Sequence, residues 1–126
     1  MMKRIFWLGA AAALSLAAAT AAPAQRVGDW VLGQWRGDSD WYPGVVSAHQ
    51  GNQVTIRYDD GTSETRPANQ VRPYNWRVGS RVVCLFTNGR WYDATITAMD
   101  PGGLLISVLY DDGDTQITQT GRCRSE

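Results

Sequence analysis

Val27-Gly28-Asp29-Trp30-Val31 and Val78-Gly79-Ser80-Arg81-Val82 open two segments that then run in step to the end of the chain. Without a shift, Trp35 lies over Phe86. After a one-residue deletion Trp41-Tyr42 lies over Trp91-Tyr92, and after a two-residue insertion Tyr58-Asp59-Asp60-Gly61 lies over Tyr110-Asp111-Asp112-Gly113. Landmarks recurring in one order at a spacing of about fifty residues mark an internal repeat, and two copies are too few for a propeller or a solenoid.

Each copy reads as β. In the first, Val31 to Trp35, Tyr42 to Ala48 and Val54 to Tyr58 are strand candidates, separated by the turn-forming runs Arg36-Gly37-Asp38-Ser39-Asp40 and Gln50-Gly51-Asn52. Val54, Ile56 and Tyr58 share one face of the third strand and Thr55 and Arg57 the other, the alternation of a half-buried strand. Tyr92, Ala94, Ile96 and Ala98 repeat that logic against Asp93, Thr95 and Thr97. Asp60-Gly61 and Asp112-Gly113 turn the chain into a short fourth strand. Helical periodicity is confined to a single expected turn near Ala68-Asn69-Gln70. Five short strands in about fifty residues close most economically as one bent sheet, a small barrel. Pro73 to Trp76 would join the barrels closely, with Trp30 or Trp76 filling the seam. Trp41 and Trp91 read as packing residues or as part of the contact between copies.

The chain begins Met1-Met2-Lys3-Arg4 and continues from Ile5 to Ala22 without a charge, the pattern of a signal peptide. Ala22-Pro23-Ala24 supplies a cleavage site after Ala24, with Ala21 as the alternative. The expected organisation is therefore a signal peptide over 1–24, one barrel over 25–75 and a second over 76–126. Removing Lys3 and Arg4 from the 12 basic residues leaves ten, all arginine, against 12 acidic ones, a net charge of about −2. Without a basic stretch, nucleic acid is not an expected partner. No membrane association is expected after cleavage.

Cys84 and Cys123 are the only cysteines. An exported chain, periplasmic or secreted, meets oxidising conditions, so a single disulfide is expected, with a pair of free thiols as the alternative. Such a bridge is worth about 4 kcal/mol in the chain-entropy account.

Val31-Leu32-Gly33-Gln34-Trp35, Trp41-Tyr42-Pro43-Gly44-Val45-Val46 and Val54-Thr55-Ile56-Arg57-Tyr58-Asp59-Asp60-Gly61 resemble Tudor domains, particularly tandem Tudor and Agenet readers of methylated lysine. Phe86, Trp91-Tyr92 and Tyr110-Asp111-Asp112-Gly113 repeat the likeness, which covers nearly all of the chain after residue 24. The resemblance implies an all-β fold of two tandem five-stranded SH3-like, Tudor-type barrels. It also implies an aromatic cage of Trp35, Tyr42, Tyr58 and Asp60 in the first copy and of Phe86, Tyr92, Tyr110 and Asp112 in the second. Aromatic faces attract a methylated ammonium by about 0.5 to 2 kcal/mol per contact, and a carboxylate adds a charge-assisted hydrogen bond. Thr62 and Asp114 stand where many such cages carry a further aromatic, and Phe86 replaces a tryptophan.

The sequence argues against catalysis and against a metal. His49 is the lone histidine, beside a turn, and without a second histidine or a cysteine cluster there is no zinc set. Ser47, His49 and Asp59 form a triad only on paper. Asp59/Asp60 and Asp111/Asp112 are adjacent and diverge at strand ends. Asp111-Asp112-Gly113-Asp114 lacks the spacing of a calcium loop. No cofactor is expected. What remains is a non-enzymatic binding module for a methylated or basic peptide or a small quaternary amine. The alternative is a structural or protein-interaction module of the cell envelope whose aromatics are core.

Overall fold

The computed structural model describes residues 25–126; the signal peptide expected over residues 1–24 lies outside them. The fold is all-β. The first repeat contributes β1 (Trp30–Gly33), β2 (Tyr42–Gln50), β3 (Gln53–Tyr58), β4 (Ser63–Pro67) and β5 (Val71–Pro73). The second contributes β6 (Arg81–Leu85), β7 (Trp91–Met99), β8 (Leu105–Tyr110), β9 (Thr115–Gln119) and β10 (Cys123–Arg124). Two five-stranded antiparallel sheets result, ordered β4-β3-β2-β1-β5 and β9-β8-β7-β6-β10. In each, the last strand returns through a 3-10 turn, Ala68–Gln70 or Thr120–Arg122, to pair with the first. The first of these turns is the one the sequence pattern expects.

The long strands β2 and β7 bend each sheet around its core. Both carry a register shift at the same place in the repeat, between Val46 and Ala48 and between Ile96 and Ala98, and such bulges turn a strand and increase its twist. The bulge also corrects the simple alternation expected along β7. Ala94 and Ile96 are buried, but Ala98 emerges on the exposed side of the shift. Tyr92, at the other end of the strand and before the shift, is also 39% exposed. Along β3 the alternation holds, with Val54, Ile56 and Tyr58 buried and Arg57 exposed.

The first strand is shorter than its sequence suggests. It ends at Gly33, and Trp35 opens a 3-10 turn in which Arg36 takes a left-handed conformation, φ 55°, followed by Gly37 at φ 73°. Those two residues break the extended backbone and aim Trp35 back over the sheet end. Gly33 has no room for a side chain, because a Cβ there would run into the Tyr58 hydroxyl and the Ile56 side chain.

The disulfide joins Cys84 of β6 to Cys123 of β10, directly opposite in the strand pair with Cα atoms 4.1 Å apart. The two sheets meet along a seam. Trp30 stacks near Tyr74 (5.7 Å between ring centroids), and Tyr74 near Trp76 (5.6 Å), which is buried in the second core. Trp41 exchanges two backbone hydrogen bonds with Ser125, at 2.7 and 2.8 Å, so the end of the chain is stitched to the first repeat.

Candidate ligand-binding sites

Trp35, Tyr42, Tyr58 and Asp60 come together around one open cavity of about 180 Å³. Trp35 arrives from the 3-10 turn, Tyr42 from the start of β2, Tyr58 from the end of β3 and Asp60 from the turn after it. Trp35 and Tyr42 stand 5.6 Å apart at 60°. Four further lining residues belong to the second repeat: Leu85, Trp91, Gly121 and Arg122. Trp91 meets Tyr42 edge to face, 6.2 Å apart at 90°. The sequence marked Trp91 only as packing or contact; its part in the cavity depends on how the repeats dock, which periodicity does not encode.

Local hydrogen bonds fix these walls. Trp35 donates through Nε1 to Thr62 Oγ1 (3.0 Å), and Thr62 donates from its hydroxyl (2.6 Å) and backbone N–H (2.9 Å) to Asp60 Oδ1. Thr62 thus ties the indole to the carboxylate. The same bonds hold the Asp60 carboxyl below its usual range, keeping it ionised. Tyr42 donates to Asp38 Oδ2 (2.8 Å) and accepts from Arg124 Nη1 (2.9 Å), while Arg124 Nε pairs with Asp40 at 3.1 Å. Burial raises the Tyr42 phenol, and the Tyr42 hydrogen bond lowers the Asp38 carboxyl. Tyr58 is buried with its hydroxyl unpartnered; burial first, and the negative Glu64 second, push its ionisation well above the ordinary tyrosine value.

Phe86, Tyr92, Tyr110 and Asp112 also come together, joined by Asn88 and Asp114 around a cavity of about 200 Å³. The three rings are mutually near-perpendicular: Phe86–Tyr92 at 6.1 Å, Phe86–Tyr110 at 5.3 Å and Tyr92–Tyr110 at 6.3 Å. Tyr92 is tethered by Asn88 Nδ2 at 2.9 Å, and Tyr110 donates to Gln116 Oε1. No residue of the first repeat lines this cavity, in contrast to the first.

The remaining chemical residues are dispersed. Ser47 bonds the Thr55 carbonyl, His49 Nδ1 lies 2.6 Å from the Gln25 carbonyl, and the Gln119 amide faces the Asp59 carboxylate. Asp111 leaves its turn to form a two-pronged pair with Arg81 at 2.8 Å. Among the described residues no group of three His, Cys, Asp or Glu is placed to hold a metal ion.

No protein-family model matches the chain, and no curated protein matches it significantly. Among solved structures, the crystal structure of the Crb2 tandem tudor domains is similar over 80% of each chain, at 15% identity and a TM-score of 0.56. Two tandem Agenet structures align less closely. ADCP1 tandem Agenet domain 3-4 has 14% identity over 79% of each chain and a TM-score of 0.34. AGD34 of Arabidopsis thaliana AGDP1 has 16% identity over 79% of this chain and 81% of its own, with a TM-score of 0.35. The first likeness is one of fold: two Tudor-type units in tandem.

Proposed function

We propose, on the premise of a tandem Tudor fold, that the protein is an exported, non-enzymatic binding module holding a methylated or otherwise cationic group in the cavity of Trp35, Tyr42, Tyr58 and Asp60. The observation that carries this reading is the convergence of those residues, with Trp91, on one open cavity of about 180 Å³. At about 30 Å³ of liquid per water molecule, that is room for roughly six waters, enough for a methylated ammonium head and its first carbons. Aromatic faces supply the attraction and the ionised Asp60 the countercharge. The perpendicular rings of Phe86, Tyr92 and Tyr110 beside Asp112 constitute a second candidate of the same chemistry. A small quaternary amine and a methylated or basic peptide both fit this chemistry. The reading divides the chain at residues 75 and 76.

Export draws support from the Cys84–Cys123 bridge, since disulfides persist in oxidising compartments. No helix among the described residues is long and apolar enough to cross a membrane. The test is a titration of the oxidised protein with choline and with dimethyl- and trimethyl-lysine peptides against unmethylated controls, followed by tryptophan fluorescence and backbone NMR. Saturable shifts at Trp35, Tyr42, Tyr58 and Trp91 that vanish in Trp35→Ala are expected. A folded protein that responds to none of these ligands would mean that the aromatics serve as scaffold, and that the protein acts in the envelope through protein contacts.

A further inference from the structure

The two cavities differ in charge. The second is walled by Asp112 and Asp114 and by no basic side chain, which suits a ligand that is a cation and nothing more. The first holds Asp60 among its rings but also Arg122, and a guanidinium repels the cation that the rings and Asp60 attract. Nothing in the fold requires an arginine there. The equivalent 3-10 turn of the first repeat, Ala68–Gln70, ends in glutamine where Thr120–Arg122 ends in arginine, and Gln70 lines neither cavity.

The backbone of Arg122 is anchored on both sides while its side chain has no partner. On one side the buried Thr120 donates its backbone N–H to the Leu104 carbonyl at 2.9 Å. On the other, Cys123 is locked in the disulfide. Between them Gly121 packs so closely on the Asp59 side chain that a Cβ has no room. The Gln119 amide nitrogen donates to both Asp59 oxygens, at 2.8 and 3.2 Å, so Asp59 already has its partner. Asp60 is bonded and lowered first by Thr62, and the basic group that adds to that effect is Arg36. Arg124 is spent on Asp40 and Tyr42, and Arg66 on Glu64 and the Gln34 carbonyl. Arg122 is exposed, at the mouth of the cavity, and its guanidinium enters no ion pair or ring stack among the described residues.

We propose, on the premise that the first cavity is a cation-binding cage, that its ligand is a zwitterion: a methylated or quaternary ammonium joined by a short linker to a carboxylate or phosphate. The ammonium lies against Trp35, Tyr42 and Trp91 with Asp60 as its countercharge. The anionic group takes Arg122, whose planar fork matches either oxyanion through two parallel hydrogen bonds. Such a ligand turns the charge of Arg122 from a repulsion into an attraction, whereas choline leaves it unanswered. The cavity of about 180 Å³ admits a compact zwitterion of the betaine kind with its anionic end at the mouth. The two repeats contribute one charge each, so the site exists only where they dock.

The test is a titration of the oxidised protein with glycine betaine, phosphocholine, choline and acetate, followed by backbone NMR and tryptophan fluorescence, with Arg122→Gln and Arg122→Lys alongside. Arg122→Gln installs the residue that the first repeat carries at that place, so the fold accepts it. One or both zwitterions should bind the first cavity about tenfold or more tighter than choline. Arg122→Gln should abolish that preference, weakening the zwitterions while leaving choline unchanged or strengthened, and Arg122→Lys should retain part of it. Choline bound as tightly as the zwitterions, a preference that survives Arg122→Gln, or a loss common to every ligand overturns the proposal and leaves the cage standing. Acetate bound as tightly as glycine betaine overturns it by making the cavity an anion site. A folded protein that binds none of the four overturns both readings. Phosphatidylcholine vesicles separate the sources: uptake that depends on Arg122 assigns the zwitterion to a lipid headgroup, and binding of the free zwitterions alone assigns it to a soluble molecule.

Discussion

Trp41 and Trp91 occupy equivalent places in the two repeats, and each packs against the core of the other barrel. Each indole is covered by an arginine from the last strand of its own sheet, Arg72 over Trp41 at 3.9 Å and Arg124 over Trp91 at 4.2 Å. The exchange is symmetric in sequence but not in consequence. Arg124 also reaches Tyr42 and Asp40, and Trp91 becomes a wall of the first cavity. The seam thereby builds one composite cavity and leaves the other to its own barrel.

Trp91→Ala should therefore weaken cation binding in the first cavity although Trp91 lies in the second repeat. The loss of one aromatic face corresponds to about two- to thirtyfold in affinity, read by fluorescence titration with choline. Trp41→Ala, removing a half-buried indole from the opposite side of the seam, should instead lower stability by about 1–3 kcal/mol, read by urea unfolding.

Arg124→Met keeps much of the side-chain length over Trp91 but leaves Asp40 and the Tyr42 hydroxyl without their partner. A stability loss of about 1–2 kcal/mol is expected, and NMR shifts should reach Tyr42 and Trp35 as well as Trp91. Perturbation confined to the second repeat would contradict the clamp described here.

Cys84→Ala with Cys123→Ala frees β10, which carries Arg124 and the Ser125 bridge to Trp41. With the cysteines 39 positions apart in sequence, the chain-entropy account gives a loss of about 4 kcal/mol. Comparing thermal unfolding of oxidised protein, reduced protein and the double variant checks this, the last two being expected to coincide.

Gly33→Ala places a methyl against the Tyr58 hydroxyl and Ile56. Both are buried parts of the core, so overpacking should cost about 1–3 kcal/mol. Combining it with Tyr58→Phe, which removes the hydroxyl, should recover part of the loss in a double-mutant cycle of unfolding free energies.

Tyr42, Tyr58, Tyr74 and Tyr110 all ionise above the ordinary tyrosine value, burial being the first cause in each. A phenol that keeps its proton in the fold and loses it at the ordinary value of 10.0 when unfolded favours the fold below that pH. That preference declines as pH rises above it. Spectrophotometric titration should show these phenols ionising late and together with alkaline unfolding. At the acid end, hydrogen bonds hold Asp60 below its ordinary 3.8, so cation affinity should be nearly flat from pH 7 to about 5 and fall only at lower pH.

The repeat, the β alternation of Val54, Ile56 and Tyr58, and the ordered aromatic landmarks made the all-β tandem fold legible in the sequence, because side-chain period and turn chemistry are local properties. The same landmarks named the four residues that meet in each cavity. Their convergence follows from strand ends and turns that recur at fixed offsets within one unit. Ala98 escaped the pattern because a bulge between Ile96 and Ala98 shifts register without leaving a residue signature, whereas Tyr92 precedes the shift and is exposed where it lines the second cavity. The left-handed Arg36, which ends β1 early, was equally hidden, since that conformation is uncommon for a non-glycine residue.

The sequence by itself determined two β units, their aromatic and acidic turn residues, and a pair of cysteines free to join. Only the tertiary structure decided that Cys84 faces Cys123 across one strand pair, that Trp41 and Trp91 cross the seam, and that Arg124 binds Tyr42 some eighty positions away. Periodicity records which face of a strand is buried. It carries no information about which other unit that face, or the loop at its end, will meet, and docking two barrels is settled by shape and charge across the seam.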